Sequence, residues 1–279
     1  MINLLLTTYN GERYLADLLD SLMTQTEDSW SLFVHDDGST DSTLTILNRY
    51  SSLMKGRMRI LSIGRTHLGA MHAFELLLRE TPEADYYMFV DQDDVWLPEK
   101  TAVTLAAMKQ AEQTAGSKPV VVHTDLVVVD ENLQTISPSF WQYSNLRPRL
   151  IEGDIHYLAI ANCLTGCTMM LNHVARETVL PFAANAYMHD QWIGLCTMMN
   201  GGTIVPVTQQ TILYRQHSAN TLGAKQYRFS LTEPSYKLFL ARRSYHAAHP
   251  QVFRNPLHFI YWKLRYFLKL HLTSNSKAV

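Results

Sequence analysis

Short apolar segments alternate with amphipathic segments through the first hundred residues of this 279-residue chain. Uninterrupted apolar runs are typical of strands buried on both faces, and apolar residues spaced three or four apart are typical of helices. Strands that alternate with helices in this way predict an α/β fold, with a mostly parallel sheet flanked by helices. The predicted strands lie at 2–6, 29–37, 58–63 and 86–90, and the predicted helices at 13–24, 42–50 and 70–79.

The second half of the chain has a less regular pattern. Residues 118–132 predict either a strand pair or one bent strand, and residues 203–221 predict two short strands with a polar loop. Beyond about residue 220 the sequence becomes more basic. We therefore expect a main domain over residues 1–220 and a helical C-terminal extension over residues 221–279.

A polar cluster follows each of the four predicted N-terminal strands, as TTYN, HDDGSTD, GRTHLG and DQDD. Ligands of doubly wound sheets bind beyond the carboxyl ends of the strands, so these clusters are expected to converge on one crevice. In the last cluster, Asp91, Asp93 and Asp94 raise one another's pKa unless a cation or hydrogen-bond donors compensate. The cluster predicts a site for a divalent cation or a nucleotide, since hard cations require oxygen ligands. Asp94 is instead expected to cap the following helix.

The charge balance and the cysteines argue against several classes of protein. The chain has 24 Lys and Arg and 25 Asp and Glu, whereas nucleic-acid binders usually carry a basic excess. The three cysteines are too few for a disulfide scaffold and lack the spacing of a zinc site.

The N-terminal segment lacks the basic region of a signal peptide, and no apolar run reaches the ~18 residues of a membrane span. We expect a cytoplasmic protein that binds no nucleic acid.

Six motifs occur in order along the chain, namely LLLTTYNGERYLADLLDSLMTQT, HDDGSTDST, DQDDVWLPEK, TGCTMMLN, HDQW and YRQHSANT. Together they resemble the bacterial family 2 glycosyltransferases of the inverting GT-A class, and most closely the rhamnosyltransferase-like members. The resemblance extends from about Ile2 to Thr221. It implies a GT-A (Rossmann-like) fold and an enzyme that transfers a sugar from a nucleotide diphosphate donor with inversion at the anomeric carbon.

The resemblance implies a nucleotide site at the ends of the first strands. Thr7 and Tyr9 correspond to positions that contact the nucleoside, and the Tyr9 ring would stack on a pyrimidine. Asp37, with Asp36 as the alternative, corresponds to a carboxylate that accepts the N–H of uracil or thymine. Arg65 corresponds to a basic residue near the base and phosphates, where its N–H groups would donate to acceptor oxygens.

The resemblance also implies a divalent cation, Mg²⁺ or Mn²⁺, at the DxD motif. Asp91 would reach the ribose or a metal-bound water, and Asp93 would bind the cation that bridges the donor diphosphate. His217 corresponds to a position at which related enzymes place a further metal ligand. In the same YRQHSANT motif, Arg215 is an alternative residue that would face the diphosphate.

Asp190 in the HDQW motif corresponds to the general base of inverting members. It would take the proton of the acceptor hydroxyl as that hydroxyl attacks the anomeric carbon. Because Asp190 is expected at a helix N-terminus, where it would also suit an N-cap, we predict a lowered pKa and an ionised carboxylate at neutral pH. His189 and Trp192 flank it as candidate acceptor residues, and Trp192 would form a sugar-stacking wall.

The resemblance favours transfer of L-rhamnose from dTDP-rhamnose to a cell-surface polysaccharide precursor or a lipid-linked glycan. A UDP-hexose or UDP-N-acetylhexosamine donor is the first alternative, and a non-catalytic scaffold that binds a nucleotide sugar is an alternative of another class. The sequence lacks the Gln-x-x-Arg-Trp motif of processive members, which predicts addition of one or a few sugars per encounter.

The segment NPLHFIYWKLRYFLKLHL, residues 255–272, mixes cations with aromatic and aliphatic residues. A basic, aromatic helix of this kind is typical of segments that lie in a membrane interface. The same helix could pack on the catalytic domain or on a second subunit of an oligomer. We expect peripheral contact with the inner face of the cell membrane.

Overall fold

The computed structural model describes residues 1–61, 67–218, 220, 223–224 and 252–272. Within these residues one mixed sheet is flanked by helices. The strands are β1 (Ile2–Thr8), β2 (Trp30–Asp36), β3 (Met58–Ile60), β4 (Tyr86–Val90), β5 (Val95–Trp96), β6 (Val120–Val129), β7 (Thr135–Ser137), β8 (Met169–Asn172) and β9 (Thr203–Arg215). The helices are α1 (Leu15–Met23), α2 (Thr43–Leu53), α3 (Ala70–Glu80), α4 (Lys100–Ala115), α5 (Phe140–Tyr143), α6 (Pro148–Ile151), α7 (Ile155–Ile160), α8 (His173–Val179), α9 (His189–Met199) and α10 (Pro256–Leu272).

The strand order in the sheet is β3-β2-β1-β4-β8-β6-β9-β5, with β7 paired to β6. The first four strands in this order run parallel, as the alternating pattern predicts. Strand β8 is antiparallel to both β4 and β6, whereas β9 runs parallel to β6 and antiparallel to β5. The predicted α/β fold is confirmed, and its continuous parallel arrangement is confined to the N-terminal half.

Two segments of the second half form single long strands. Residues 118–132 contain β6 as one bent strand, whose register against β9 shifts between Thr124 and Asp125. The prediction of two short strands in 203–221 is wrong, because β9 is continuous. A bulge lets a strand bend without a turn, so the pairing of β6 with β9 resumes beyond the shift.

Alternate residues of β1 face two different cores. Leu4 and Leu6 belong to the cluster that includes α1, whereas Leu5 packs on the other face with Phe74 of α3 and Ile193 of α9. Successive side chains of a strand point to opposite faces, so cover on both faces explains the uninterrupted apolar run. Pairing in register with β2 and β4 brings the carboxyl ends of these three strands to one edge.

The helix predicted in the C-terminal segment is present as α10, which packs against α7. None of the helices in the described part of the chain is long and apolar enough to cross a membrane. Residues 225–251 lie outside the described residues, so the division into 1–220 and 221–279 stays a prediction.

Candidate active site

A cavity of about 400 Å³ opens at the edge where β1, β2 and β4 end. Polar side chains from these three strand ends line it together with the first turn of α9. The predicted convergence is observed for all four polar clusters, because His67 and Gly69 of the GRTHLG cluster also line the cavity. Arg65 of that cluster lies outside the described residues. Of the predicted site residues, the cavity is lined by Thr7, Tyr9, Asp37, Asp91, Asp93, His189 and Asp190.

Asp37 lies at the cavity, and its buried carboxylate is already well supplied with donors. Its two oxygens accept the backbone N–H groups of Leu68 and Gly69, at 2.7 and 2.8 Å. The alternative, Asp36, accepts hydrogen bonds from Thr8 and Ser39 and is not a lining residue. Of the two candidate carboxylates, only Asp37 lines the cavity.

Tyr9 lies at the edge of the cavity, with 46% of its surface exposed and its ring centroid 4.5 Å from that of His67. Its backbone is held by Gln92, which accepts from the Tyr9 N–H at 2.9 Å and donates to the Tyr9 carbonyl at 3.0 Å. Gly11 leaves room for this amide, since a Cβ there would lie 2.7 Å from Gln92 Cδ. The sequence offered no signal for Gln92, because the contact joins two loops that are far apart in the chain.

Asp93 and His217 meet at one end of the cavity. His217 Nε2 lies 2.8 Å from Asp93 Oδ2, and the Asn220 amide donates to the same oxygen at 3.2 Å. Burial, and after it the charge of Asp93, raises the pKa of Asp91 to about 7. Carboxylate oxygens and an imidazole nitrogen suit Mn²⁺ or Mg²⁺, so the adjacent Asp93 and His217 fit the predicted cation as two of its ligands.

Asp94 does not cap a helix, and that prediction is wrong. Helix α4 begins only at Lys100, and Asp94 is fully buried behind the cavity, where its Oδ1 accepts the backbone N–H of Arg215 at 3.2 Å. Burial, together with the charges of Asp93 and Asp91, raises the pKa of Asp94 well above its usual value.

Lys100 is the cation that faces these buried carboxylates. Its side chain is fully buried, and Nζ lies 4.5 Å from the centre of the Trp96 ring. Burial lowers the pKa of Lys100 to about 8, against the opposing influence of Cys167, Asp94 and Asp91. No hydrogen-bond partner of Nζ is found among the described residues. The sequence pattern marks Lys100 only as a residue at the start of a helix and misses this cation.

Arg215 does not face the cavity. Its guanidinium donates to the backbone oxygens of Asp93 and Glu131 and to the Asp17 carboxylate, at 2.8–2.9 Å, and lies over the Tyr14 ring. The alternative prediction, that Arg215 faces the diphosphate, is therefore wrong, because these contacts direct its side chain to the backbone of the DQDD loop and away from the cavity.

Asp190 lies in the first turn of α9 but does not cap it, because the N-cap position belongs to Met188. Burial raises the pKa of Asp190 to about 6, in spite of hydrogen bonds from the Gln191 backbone and the Asn162 side chain. The prediction of a lowered pKa is wrong, since desolvation outweighs the favourable helix terminus. At neutral pH the group is still mainly a carboxylate, and it can accept a proton there.

His189 is buried between Phe74 and Phe89, with ring centroids at 4.5 and 4.9 Å. Burial lowers its pKa to about 3, so the imidazole is neutral. Within the described structure neither ring nitrogen has a hydrogen-bond partner, and the ring reaches the cavity wall. Gly166 makes room for the ring, since a Cβ on that residue would lie 2.8 Å from His189 Cε1.

Trp192 does not line the cavity, and the sugar-stacking prediction is wrong. It lies two positions after Asp190, about 200° further around the helix. Its indole N–H donates to the Val179 carbonyl at 2.9 Å, and its ring packs against the core.

The comparison with known families agrees with this geometry. The family description that matches residues 4–178 is Glycosyl transferase family 2. The chain belongs to this family. A relative named dTDP-rhamnosyl transferase RfbG, from Shigella flexneri, is 26% identical over 78% of this chain and 74% of its own length.

Two solved structures in complex with nucleotide sugars share the fold of this family 2 chain. Staphylococcus aureus TarS 1-349, in complex with UDP-GlcNAc, aligns with a TM-score of 0.56 and 19% identity, over 87% of this chain and 66% of that chain. The mannosyltransferase PcManGT from Pyrobaculum calidifontis, in complex with GDP-Man and Mn²⁺, aligns with a TM-score of 0.55 and 16% identity, over 80% and 58%. The GT-A fold expected from the sequence is confirmed, and the chain spans less than two thirds of either protein.

Proposed function

We propose that this protein is an inverting, non-processive glycosyltransferase that uses a nucleotide diphosphate sugar. One observation carries the proposal. A partly buried carboxylate whose pKa is raised to about 6, Asp190, shares a single cavity with the acidic end of β4 and with Asp37. This arrangement supports a base that faces a cation and a nucleotide, as direct displacement of a nucleotide requires.

The chemistry assigns one task to each part of the cavity. Asp190 accepts the proton of the acceptor hydroxyl as the hydroxyl attacks the anomeric carbon. Asp37 and Tyr9 hold the base, with Thr7 at the nucleoside and Arg65 near the phosphates. Asp93 and His217 would hold Mg²⁺ or Mn²⁺, which would neutralise charge on the leaving diphosphate, and Asp91 would reach the ribose or a metal-bound water.

The proposed donor is dTDP-rhamnose. The relative named as a dTDP-rhamnosyl transferase supports this donor, and the UDP-GlcNAc bound by TarS supports the alternative of a UDP-hexose or UDP-N-acetylhexosamine. The Mn²⁺ in the PcManGT complex supports use of a divalent cation. A non-catalytic scaffold would not need Asp190 in addition to the nucleotide and cation residues.

The proposed acceptor is a cell-surface polysaccharide precursor or a lipid-linked glycan. We place the enzyme in the cytoplasm, where nucleotide sugars are available, at the inner face of the membrane. Residues 1–220 would form the catalytic domain, and residues 221–279 an extension that contacts a membrane or a second subunit.

The test is donor consumption across a panel of UDP-, GDP- and dTDP-sugars, with Mn²⁺ or with EDTA. We expect cation-dependent consumption of dTDP-rhamnose, lost in Asp190→Asn while nucleotide binding persists. Asp28→Asn is the matched control, because Asp28 is exposed and precedes β2 at the opposite edge of the sheet. Preference for a UDP-sugar would contradict dTDP-rhamnose as the donor and leave the proposed mechanism unchanged. Full activity of Asp190→Asn would overturn the mechanism.

A further inference from the structure

Charge is distributed unevenly along this chain. Residues 234–279 contain eight Lys and Arg and no Asp or Glu, for a net charge of +8, whereas residues 1–233 carry 16 basic and 25 acidic residues, for a net charge of −9. An asymmetry of this size between two parts of a chain points to an anionic partner for the basic part.

One face of α10 is packed on the protein, which fixes how the helix is presented. Trp262 stacks on His156 of α7, with ring centroids 4.0 Å apart and planes only 4° from parallel. Tyr266 lies 5.5 Å from the Tyr157 ring, and Phe259 is buried in the same core. Aromatic contacts of this kind hold the helix in one rotation about its axis.

The opposite face of α10 is apolar and exposed. Its exposed fractions are 76, 50, 52, 60 and 58% for Leu257, Ile260, Tyr261, Leu264 and Leu268. At about 100° per residue these five side chains fall within an arc of about 100°. We call these five residues the exposed stripe. A contiguous apolar surface of this kind marks an interaction site more often than scattered apolar residues do.

Cations border the exposed stripe on both sides. Lys263 lies about 60° beyond one edge of the arc, and Arg265 lies about 40° beyond the other. The Arg265 guanidinium lies 5.0 Å from the Trp262 ring and donates to the Tyr261 hydroxyl at 3.0 Å. Long cationic side chains beside an apolar face can reach the headgroups while that face is buried in the acyl boundary.

We propose that α10 binds the surface of a membrane that contains anionic lipids, with the exposed stripe buried among the acyl chains. Charge decides between a membrane and a second copy of this chain. A two-fold contact through the stripe would bring Lys263 and Arg265 of both copies together, with no acidic residue in 234–279 to neutralise them. Anionic headgroups carry charge complementary to these cations.

The position of α10 connects this surface to the acceptor side of the cavity. Helix α7, on which α10 packs, continues into the segment 159–166. In that segment the Ala159 carbonyl accepts from the Gln191 side chain, and Asn162 and Gly166 contact Asp190. Membrane binding stands on α10 alone, whereas delivery of a lipid-linked acceptor towards Asp190 rests on the proposed function.

The test is flotation of the full chain with vesicles of phosphatidylcholine, alone or with a quarter of phosphatidylglycerol. We expect binding to the anionic vesicles that weakens with salt, and a partition coefficient at least tenfold lower for Leu257→Ser/Leu264→Ser/Leu268→Ser. The matched control is Leu44→Ser/Leu53→Ser/Ile136→Ser, which removes three exposed apolar side chains elsewhere and is expected to leave binding unchanged.

Three results would overturn the proposal: no binding of the wild-type chain to anionic vesicles, equal binding to neutral ones, or equal loss in both triple variants. A dimer that the α10 triple variant dissociates, without vesicle binding, would assign the stripe to a second copy. Release of nucleotide from the donor, measured without vesicles, separates this test from the proposed function. Vesicle binding without nucleotide release from any donor would refute the proposed transferase activity and still support membrane binding by α10.

Discussion

Replacement of Asp190 by Asn is expected to make the folded protein more stable at neutral and alkaline pH. Burial raises the pKa of this carboxyl from its ordinary 3.8 to about 6 in the folded chain. Between those values the folded state keeps a proton that the unfolded state has released, so the ionised carboxylate destabilises the fold as pH rises above 3.8. The Asn side chain has nearly the same shape and can still accept from the Gln191 N–H, so the main change is the loss of charge.

The size of the effect follows from the pKa shift. One pKa unit corresponds to about 1.4 kcal/mol, so Asp190→Asn should raise the free energy of unfolding by about 3 kcal/mol at pH 8 and by about 1.5 kcal/mol at pH 5. The gain should vanish below the ordinary pKa of 3.8, where Asp190 is neutral in both states.

The assay is urea unfolding of the wild-type chain and Asp190→Asn at pH 8 and pH 5, with EDTA present. Asp28→Asn serves as the control, since its exposed carboxyl should change stability by less than about 0.5 kcal/mol at either pH. A variant less stable than the wild type at pH 8 would refute the reasoning, as would an equal gain at both pH values.

Three further predictions concern the same cavity. With donor and Mn²⁺ held at saturation, the activity of the wild-type enzyme should fall about tenfold per pH unit below pH 6, as Asp190 gains a proton. His217→Ala should weaken Mn²⁺ binding about tenfold in a spectroscopic titration, because it removes the imidazole beside Asp93, and metal-free nucleotide binding should persist. Gly166→Ala should destabilise the fold by about 1–3 kcal/mol in thermal unfolding, because the new methyl group displaces the His189 ring. A neutral or stabilising Gly166→Ala would show that the ring is free to move.

The sequence does not predict that Asp94 and Lys100 are buried behind the cavity. Asp94 reads as a cap because an aspartate often precedes a helix, yet five residues separate it from Lys100, where the helix begins. The pairing of β9 beside β5 brings the Arg215 backbone to Asp94 and encloses the carboxylate. The same enclosure buries the Lys100 ammonium near the carboxylates. Burial of a charge depends on what packs over it, which spacing along the chain does not contain.

For the C-terminal helix α10, too, the sequence predicts some features and only tertiary packing decides the others. Its apolar and cationic residues recur at helical spacing, so its existence and its basic character were readable from the sequence. Which face packs inward was not readable, because apolar residues cover a broad arc of the helix. The stack of Trp262 on His156 selects the inward face and leaves Leu257 and Leu264 exposed.

Local pattern by itself determined the fold class, the N-terminal strands and helices, and the polar clusters at the strand ends. These features depend on side-chain periodicity and on the rule that parallel strands end at one edge, and neither requires knowledge of distant partners. Only the tertiary structure decided that Asp37 and not Asp36 meets the cavity, that Trp192 turns away from it, and that burial raises the pKa of Asp190. Desolvation and side-chain direction arise from segments far apart in the chain, and a carboxylate acquires its chemistry when those segments enclose it.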